Sequence, residues 1–373
     1  MTASHAASTP WGWPPIRPEL AGIEPYGAPQ LDVPVQLNVN ENPYGPSPGC
    51  VADIAAAVSE AAAGLNRYPD REFTALRTAL AAYLSRDTPH GITPDQVWAA
   101  NGSNEVMLQL LQAFGGPGRT ALSFAPTYSM YPEYARDSLT RWVTGHREDD
   151  FSLDLDRAHD LVKREQPSVV LLPSPNNPTG TALPPEAVSV LCEAAGEGLV
   201  VVDEAYGEFR RAGVPSAVEL LPEHRNLVVS RTMSKAFAAA GLRVGYLAAD
   251  PAICDAIRVV RLPYHLSAVT QAAALAALRH APELLGKVDE LRAERDALVV
   301  WLREQGLEVA ESDANFVLFG RYADRHAVWQ ALLDRGVLIR ETGPEGWLRV
   351  SVGTPAEMAA FKTALTEANG ERA

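Results

Sequence analysis

Lysine is scarce in this chain of 373 residues: Lys163, Lys235, Lys287 and Lys362 are all it has. Cysteine is scarcer still, with Cys50, Cys192 and Cys254 far apart, odd in number and without a CxxC pair. That excludes a disulfide framework and points to the reduced thiols of a cytosolic protein. The 8 histidines show no HxH, HxxxH or HExxH spacing, so no metal site is expected. No apolar run reaches membrane-spanning length. Met1 to Pro10 has neither a basic start nor an apolar core, so it reads as a flexible lead-in rather than a secretory signal. Positive charge is also short, 32 Lys+Arg against 46 Asp+Glu, and the net charge of -14 argues against nucleic acid and anionic membranes. What remains, 47% hydrophobic and 21% charged, is the composition of a soluble globular protein. The length suits one large domain and a smaller one.

Prolines at 10, 14, 15, 18, 25, 29 and 34 make residues 10–50, with Trp11, Trp13 and Tyr26, an extended arm rather than a helix. Helical spacing then marks 51–63 and 72–84, and short apolar strands are expected at 120–124, 168–172, 199–202, 227–230 and 244–248. Helical stretches at 105–114, 155–164 and 186–195 lie between them. Such alternation predicts an α/β fold with a mostly parallel sheet buried on both faces. One long helical stretch, 267–306, interrupted only by Pro282, leads to a tail read as strand 315–319, helix 326–335, strands 337–340 and 348–350, and helix 355–368. The expected division is an arm (1–44) packing on the small domain or a partner subunit, a large domain (45–262), and a linking helix with a small α+β domain (263–373).

Among the lysines, Lys163, Lys287 and Lys362 sit in helical stretches, the first two strongly charged. Lys235 instead follows an apolar strand and a polar turn, Arg231-Thr232-Met233-Ser234. An apolar site destabilises the charged amine, lowers its pKa and makes it nucleophilic. Ser234 beside it and Arg243 beyond it suit a phosphate dianion. Together they suggest pyridoxal phosphate carried covalently on a lysine.

Ligands of open α/β sheets collect beyond the carboxyl ends of the strands, where further polar groups fall in order. Gly102-Ser103-Asn104 opens a helix whose free N–H groups could take an anion, or Ser103 or Asn104 could simply cap it. Tyr128 could stack on a flat ring or merely pack. Pro175-Asn176-Asn177-Pro178 forces a stiff turn that could aim an amide at a ligand, or only connect two elements. Asp203 could pair with a protonated pyridine nitrogen, with Tyr206 reaching the ring's phenolic oxygen, or it could cap the next helix.

With these residues in this order, the chain resembles the fold-type I pyridoxal-phosphate aminotransferases of the class I/II superfamily over nearly its full length. Within them it is most similar to the histidinol-phosphate aminotransferases in their actinobacterial form. The matching segments are Asn38-x-Asn40-Glu41-Asn42-Pro43, Arg67-Tyr68-Pro69, Pro175-Asn176-Asn177-Pro178-Thr179-Gly180, Asp203-Glu204-Ala205-Tyr206, Thr232-Met233-Ser234-Lys235-Ala236-Phe237 and Leu348-Arg349-Val350-Ser351-Val352-Gly353-Thr354.

The resemblance implies that Lys235 links to pyridoxal 5'-phosphate and moves the substrate's α-proton. Asp203 would hold the pyridinium, Asn177 and Tyr206 the ring oxygen, and Tyr128 would stack. Gly102, Ser103, Asn104, Thr232, Ser234 and Arg243 would hold the phosphate, with Tyr68 reaching the cofactor of the neighbouring subunit in a homodimer with shared sites. Arg349 would grip a carboxylate, while Arg340, Tyr26 and Tyr264, the last from the partner subunit, would surround a substrate phosphate; Asn42 and Asn177 would also touch substrate. The implied reaction is cytoplasmic transamination of L-histidinol phosphate with 2-oxoglutarate, giving imidazole acetol phosphate and L-glutamate in histidine biosynthesis.

Three rival readings stand beside it. An aromatic amino acid (phenylalanine/tyrosine) aminotransferase would use the same framework with a different side-chain pocket. Decarboxylation or β-elimination would use the same cofactor, though Arg349 would hold the carboxylate in the ring plane, where it resists loss. A regulator with an aminotransferase-like ligand domain would need an N-terminal DNA-binding module, for which the short arm leaves no room.

Overall fold

The computed structural model describes residues 16–20 and 22–370; the expected lead-in at Met1–Pro10, Trp11 and Trp13 lie outside them. The described part of the arm is extended apart from a 3-10 turn at Pro18–Leu20, with one short strand, β1 (Val35–Gln36), before α1 (Pro48–Ala62), which is capped by the Ser47 hydroxyl, and α2 (Thr74–Leu84). Then come β2 (Val97–Ala100), α3 (Ser103–Phe114), β3 (Thr120–Ala125), α4 (Tyr131–Asp137), β4 (Arg141–His146), α5 (Leu155–Glu165), β5 (Val169–Pro173), α6 (Pro185–Ala195), β6 (Leu199–Asp203), β7 (Leu227–Thr232), β8 (Gly245–Ala249) and α7 (Pro251–Val260). The strands form one seven-stranded sheet in the order β2-β8-β7-β6-β5-β3-β4. β3, β4, β5, β6 and β7 pair in parallel, and only β8 runs against its neighbours.

The apolar runs explain this arrangement. Every residue of β5, β6 and β7 is buried, as strands covered by helices on both faces require. Two strands of this sheet went unread in the sequence. β2 reads Val-Trp-Ala-Ala, poor in β-branched residues, and β4 is a polar edge strand whose side chains are mostly accessible.

The single helix expected over 267–306 is two, α8 (Ala268–Arg279) and α9 (Ala281–Glu304), parted at His280. Pro282 lies in the first turn of α9, where its missing N–H does no harm; inside a continuous helix it would have removed a hydrogen bond and struck the preceding turn. Beyond α9 stand β9 (Glu308–Val309), β10 (Phe316–Gly320), α10 (Arg325–Asp334), β11 (Val337–Leu338), β12 (Arg340–Glu341), β13 (Trp347–Ser351) and α11 (Pro355–Gly370). The strand expected at 337–340 splits at Ile339: β11 pairs in parallel with β1 of the arm, and β12 pairs with β13. The second sheet, ordered β12-β13-β10-β9, shares a core with Leu37 of the arm, α9, α10 and α11. A third apolar cluster, including Tyr206, Phe316, Val288 and Val352, joins the two sheets' cores.

Candidate active site

The carboxyl ends of the parallel strands meet at one edge of the large sheet. Pro173 pairs with Asp203, Asp203 with Ser230, Thr232 with Gly245, and Gly245 with Ala100, so the segments that follow these strands converge. A cavity of about 270 Å³ lies there, closed from the other side by the arm and by β12 and β13. Ser103, Asn104, Tyr128, Asn177, Asp203, Tyr206, Thr232, Ser234, Lys235, Arg243, Tyr26, Arg340 and Arg349 all line it.

One end is built for an anion. Gly102, at φ +85°, is the N-cap of α3, and no side chain caps the N–H groups of that first turn. A Cβ at Gly102 would stand 2.5 Å from an Arg243 guanidinium nitrogen. Glycine there therefore lets the guanidinium lie across the helix start, and the left-handed backbone favours it too. Gly245 does the same from the strand side, since a Cβ would come within 2.1 Å of the Ser103 nitrogen. Arg243 Nη1 donates to Ser234 Oγ at 3.2 Å, and Thr232 Oγ1 donates to the same oxygen at 3.0 Å. Helix N–H groups, two hydroxyls and a guanidinium thus converge as a phosphate would require.

Elsewhere in the cavity, buried Asp203 accepts only from neutral groups: the Tyr131 hydroxyl and the Ser230 hydroxyl, each at 3.0 Å, and the Ala205 N–H at 3.2 Å. Burial pushes its carboxyl above the ordinary value, although these hydrogen bonds oppose the rise. A 3-10 turn at Gly207–Phe209 follows rather than an α-helix, so helix capping is not its task. Tyr131 and Ser230 were missed in the sequence. Tyr131 stands in the first turn of α4 and Ser230 one strand over, and no local pattern ties either to Asp203.

Lys235 donates to the Val39 carbonyl at 2.9 Å and, among the described residues, pairs with no carboxylate. Burial and the nearby cations Arg349 and Arg243 push its amine down to about 8, with Glu41 opposing. Buried Arg349 donates to the Asn38 carbonyl at 2.8 Å and to Asn177 Oδ1, and packs over Phe316. Among the described residues its Nε has no partner. Arg340 is its direct partner across β12 and β13, so both guanidiniums stand at one mouth of the cavity. Arg340 donates to the Gly27 carbonyl at 3.4 Å, and its buried Nη1 has no partner among the described residues. The half-exposed Tyr26 accepts from Ser129 at 3.4 Å beside them.

Three expected residues lie elsewhere. Asn42 accepts from the Tyr44 N–H in a turn and donates to the Ala236 carbonyl at 3.2 Å, bracing the lysine loop, and is not among the residues that line the cavity. Tyr68, 80% exposed, stacks on Tyr264 at 4.4 Å between ring centres, away from this cavity. Among the described residues no group of three or more His, Cys, Asp and Glu could hold a metal, and no helix is long and apolar enough to cross a membrane.

Comparison with known proteins agrees with this geometry. Histidinol-phosphate aminotransferase of Thermobifida fusca is 64% identical over 356 residues, covering 95% of this chain and 96% of that protein. The Streptomyces avermitilis protein of the same name is 58% identical over 361 residues, covering 96% and 97%. Among solved structures, histidinol-phosphate aminotransferase from Sinorhizobium meliloti in complex with pyridoxal-5'-phosphate superposes with a TM-score of 0.80 at 27% identity, covering 91% of this chain and 92% of that one. Residues 33–365 match the family described as aminotransferase class I and II, and the chain belongs to it.

Proposed function

We propose that the protein catalyses pyridoxal 5'-phosphate-dependent transamination of L-histidinol phosphate with 2-oxoglutarate, yielding imidazole acetol phosphate and L-glutamate in histidine biosynthesis. The residues fit the cofactor on their own chemistry: an anion cradle, a buried carboxylate that lacks a cation, and a lysine with a lowered pKa line one cavity. When bound, the cofactor supplies the electron sink that acidifies the donor's α-hydrogen.

In this reading Gly102, Ser103, Asn104, Thr232, Ser234 and Arg243 hold the phosphate, and Tyr68 of a second subunit adds to it. Asp203 holds the proton on the ring nitrogen. Asn177 and Tyr206 hold the ring oxygen, and Tyr128 covers the ring face. Lys235 carries the cofactor, and its Nζ, neutral in a useful fraction near pH 8, takes and returns the proton at the donor's α-carbon. Arg349 binds the carboxylate of glutamate or 2-oxoglutarate bidentately. Arg340, with Tyr26 and a second subunit's Tyr264, binds the phosphate ester.

The observation that carries the substrate assignment is the facing pair Arg340 and Arg349, each with an unpartnered guanidinium nitrogen at the cavity. Two cations there suit donors and acceptors that are all anions. The exposed Tyr68–Tyr264 stack supports the homodimer reading, since it suits insertion into a neighbouring subunit. Buried, unpaired Cys50, Cys192 and Cys254 suit the cytoplasm. Separate apolar cores support a large and a small domain behind the arm (1–44), but Leu266, Ala274, Ala277, Ala281 and Leu284 pack in the large core, so the division falls later than the expected 45–262 and 263–373. The test is turnover with 2-oxoglutarate as acceptor and histidinol phosphate, phenylalanine or tyrosine as donor. Histidinol phosphate should be preferred; a preference for phenylalanine would make the protein an aromatic aminotransferase.

A further inference from the structure

Asn40 is buried, holds a left-handed backbone at φ 56°, and bonds to the arm's surroundings through every polar group it has. Its N–H donates to Ser351 Oγ at 2.9 Å, its carbonyl accepts from Asn315 at 3.0 Å, its Oδ1 accepts from Ser351 Oγ at 2.9 Å, and its Nδ2 donates to the Tyr206 hydroxyl at 3.0 Å. Ser351 ends β13, two residues beyond Arg349 on the same face.

We propose that Asn40, held by Ser351, is a positioning residue that aims the single hydroxyl hydrogen of Tyr206 into the cleft. The inference rests on the reading of the cavity as a pyridoxal-phosphate site in which Tyr206 meets the ring oxygen. The donor and acceptor count carries it. Arg349 can only donate, so its bond fixes Asn177 with Oδ1 toward the guanidinium and Nδ2 toward Tyr206, at 3.5 Å. Ser351 Oγ already accepts from the Asn40 N–H, and among the described residues its own hydrogen meets only Asn40 Oδ1. Reversing the Asn40 amide would strand that hydrogen in a buried place, which is costly. Both amides therefore donate to the Tyr206 oxygen and occupy its two lone pairs. The one hydrogen left must point elsewhere, and Tyr206 lines the cavity. Burial keeps the phenol protonated, since its pKa is raised. Ser351 and Arg349 share a strand, so the same relay ties the carboxylate-binding strand to the ring.

The test uses the pyridoxal-phosphate-loaded protein and reads the pH midpoint at which its visible absorption band changes form, without turnover. A hydrogen bond from Tyr206 stabilises negative charge on the ring oxygen most when the adjacent lysine-linked nitrogen has lost its proton. Losing that bond should raise the midpoint. Tyr206→Phe should shift it upward by about 1–2 pH units. Asn40→Gly, which tolerates the left-handed backbone, and Ser351→Ala should each shift it upward by a smaller amount. Neither should add to the shift in a Tyr206→Phe background. If Tyr206→Phe moves the midpoint while Asn40→Gly and Ser351→Ala leave it at the parent value, or add in full to Tyr206→Phe, the positioning role is wrong and the cofactor reading stands. An unmoved midpoint in Tyr206→Phe overturns the placement of Tyr206 and the inference with it. Should Asn40→Gly fail to fold, Ser351→Ala, which loses one hydroxyl, decides alone.

Discussion

Asp203 and Glu204 are neighbours in sequence, both buried, and treated in opposite ways. Asp203 faces the cavity among neutral donors, and burial pushes its carboxyl up. Glu204 points to the other side, where Arg231 at 2.6 Å and Arg210 at 2.9 Å pair with it. Burial would raise it as well, but these cations and the hydrogen bonds from Ala217 and Ser216 hold it below its ordinary value. The cations mirror this division. Arg231, buried, is matched by Glu204, Glu208 and Asp87. Lys235, four positions on, has only a carbonyl among the described residues. Behind the lysine loop the buried charges are paired with one another inside the protein; in front of it the charges are left for a ligand to complete. The first arrangement serves stability and the second chemistry, because an uncompensated buried charge costs energy that binding can recover.

Breaking the front face at its centre should have the largest effect. Lys235→Ala should abolish the covalent cofactor band and slow transamination by at least about 10³-fold while the circular dichroism spectrum stays native. Full activity in that variant would end the comparison.

Next come the paired carboxylates. In Glu204→Gln, Arg231 and Arg210 lose a buried counter-charge, and the protein should be less stable by about 3–5 kcal/mol at pH 7. Because the folded pKa of Glu204 is depressed, its contribution is present above the unfolded value and lost as pH falls through the folded one. The gap between parent and variant should therefore narrow in acid. Asp203 has the opposite sign: its folded pKa is raised, so its ionised form costs stability above the unfolded value. Cofactor-free Asp203→Asn should be at least as stable as the parent at pH 7, yet bind cofactor more weakly. Urea titrations at two pH values check both; equal losses from the two substitutions would erase the distinction between the faces.

A smaller effect separates the arginines. Arg340→Gln and Tyr264→Phe should lower the efficiency of the histidinol phosphate half-reaction by about tenfold or more, for one charge-assisted hydrogen bond. Arg349→Gln should damage the glutamate half-reaction at least as severely. Single-turnover spectroscopy of each half-reaction resolves the two, and intact histidinol phosphate turnover in the first pair would remove the phosphate subsite. The smallest effect is a titration. Covalent capture of the cofactor by the cofactor-free protein should speed up as pH rises through about 8, where Lys235 loses its proton. In Arg349→Gln that midpoint should move upward, since a cation that disfavours the protonated amine is gone.

Much of the front face is legible in sequence because it follows strand ends. Apolar runs such as Val200-Val201-Val202 declare a buried strand, and the polar residue that terminates each must lie at the sheet edge. Lys235 stands out for the same reason, following such a run while its fellow lysines lie in helices. Residues that act across the fold carry no local mark. Ser351 and Asn40 are 311 positions apart, and Tyr131 reaches Asp203 across 72. The back-face network is equally hidden, since nothing near Arg231 in sequence announces Asp87 as its partner, 144 positions earlier. β4 fails to read as a strand because, at the edge, its side chains alternate little between core and water.

The central claim is that, among four lysines, Lys235 is the one whose amine is buried without a carboxylate partner among the described residues, where its lowered pKa lets it react. The most direct measurement is borohydride reduction of the cofactor-loaded protein, followed by proteolysis and mass mapping of the modified peptide. All of the label should fall on the peptide containing Lys235. Label on Lys163, Lys287 or Lys362 in place of Lys235 would contradict the claim.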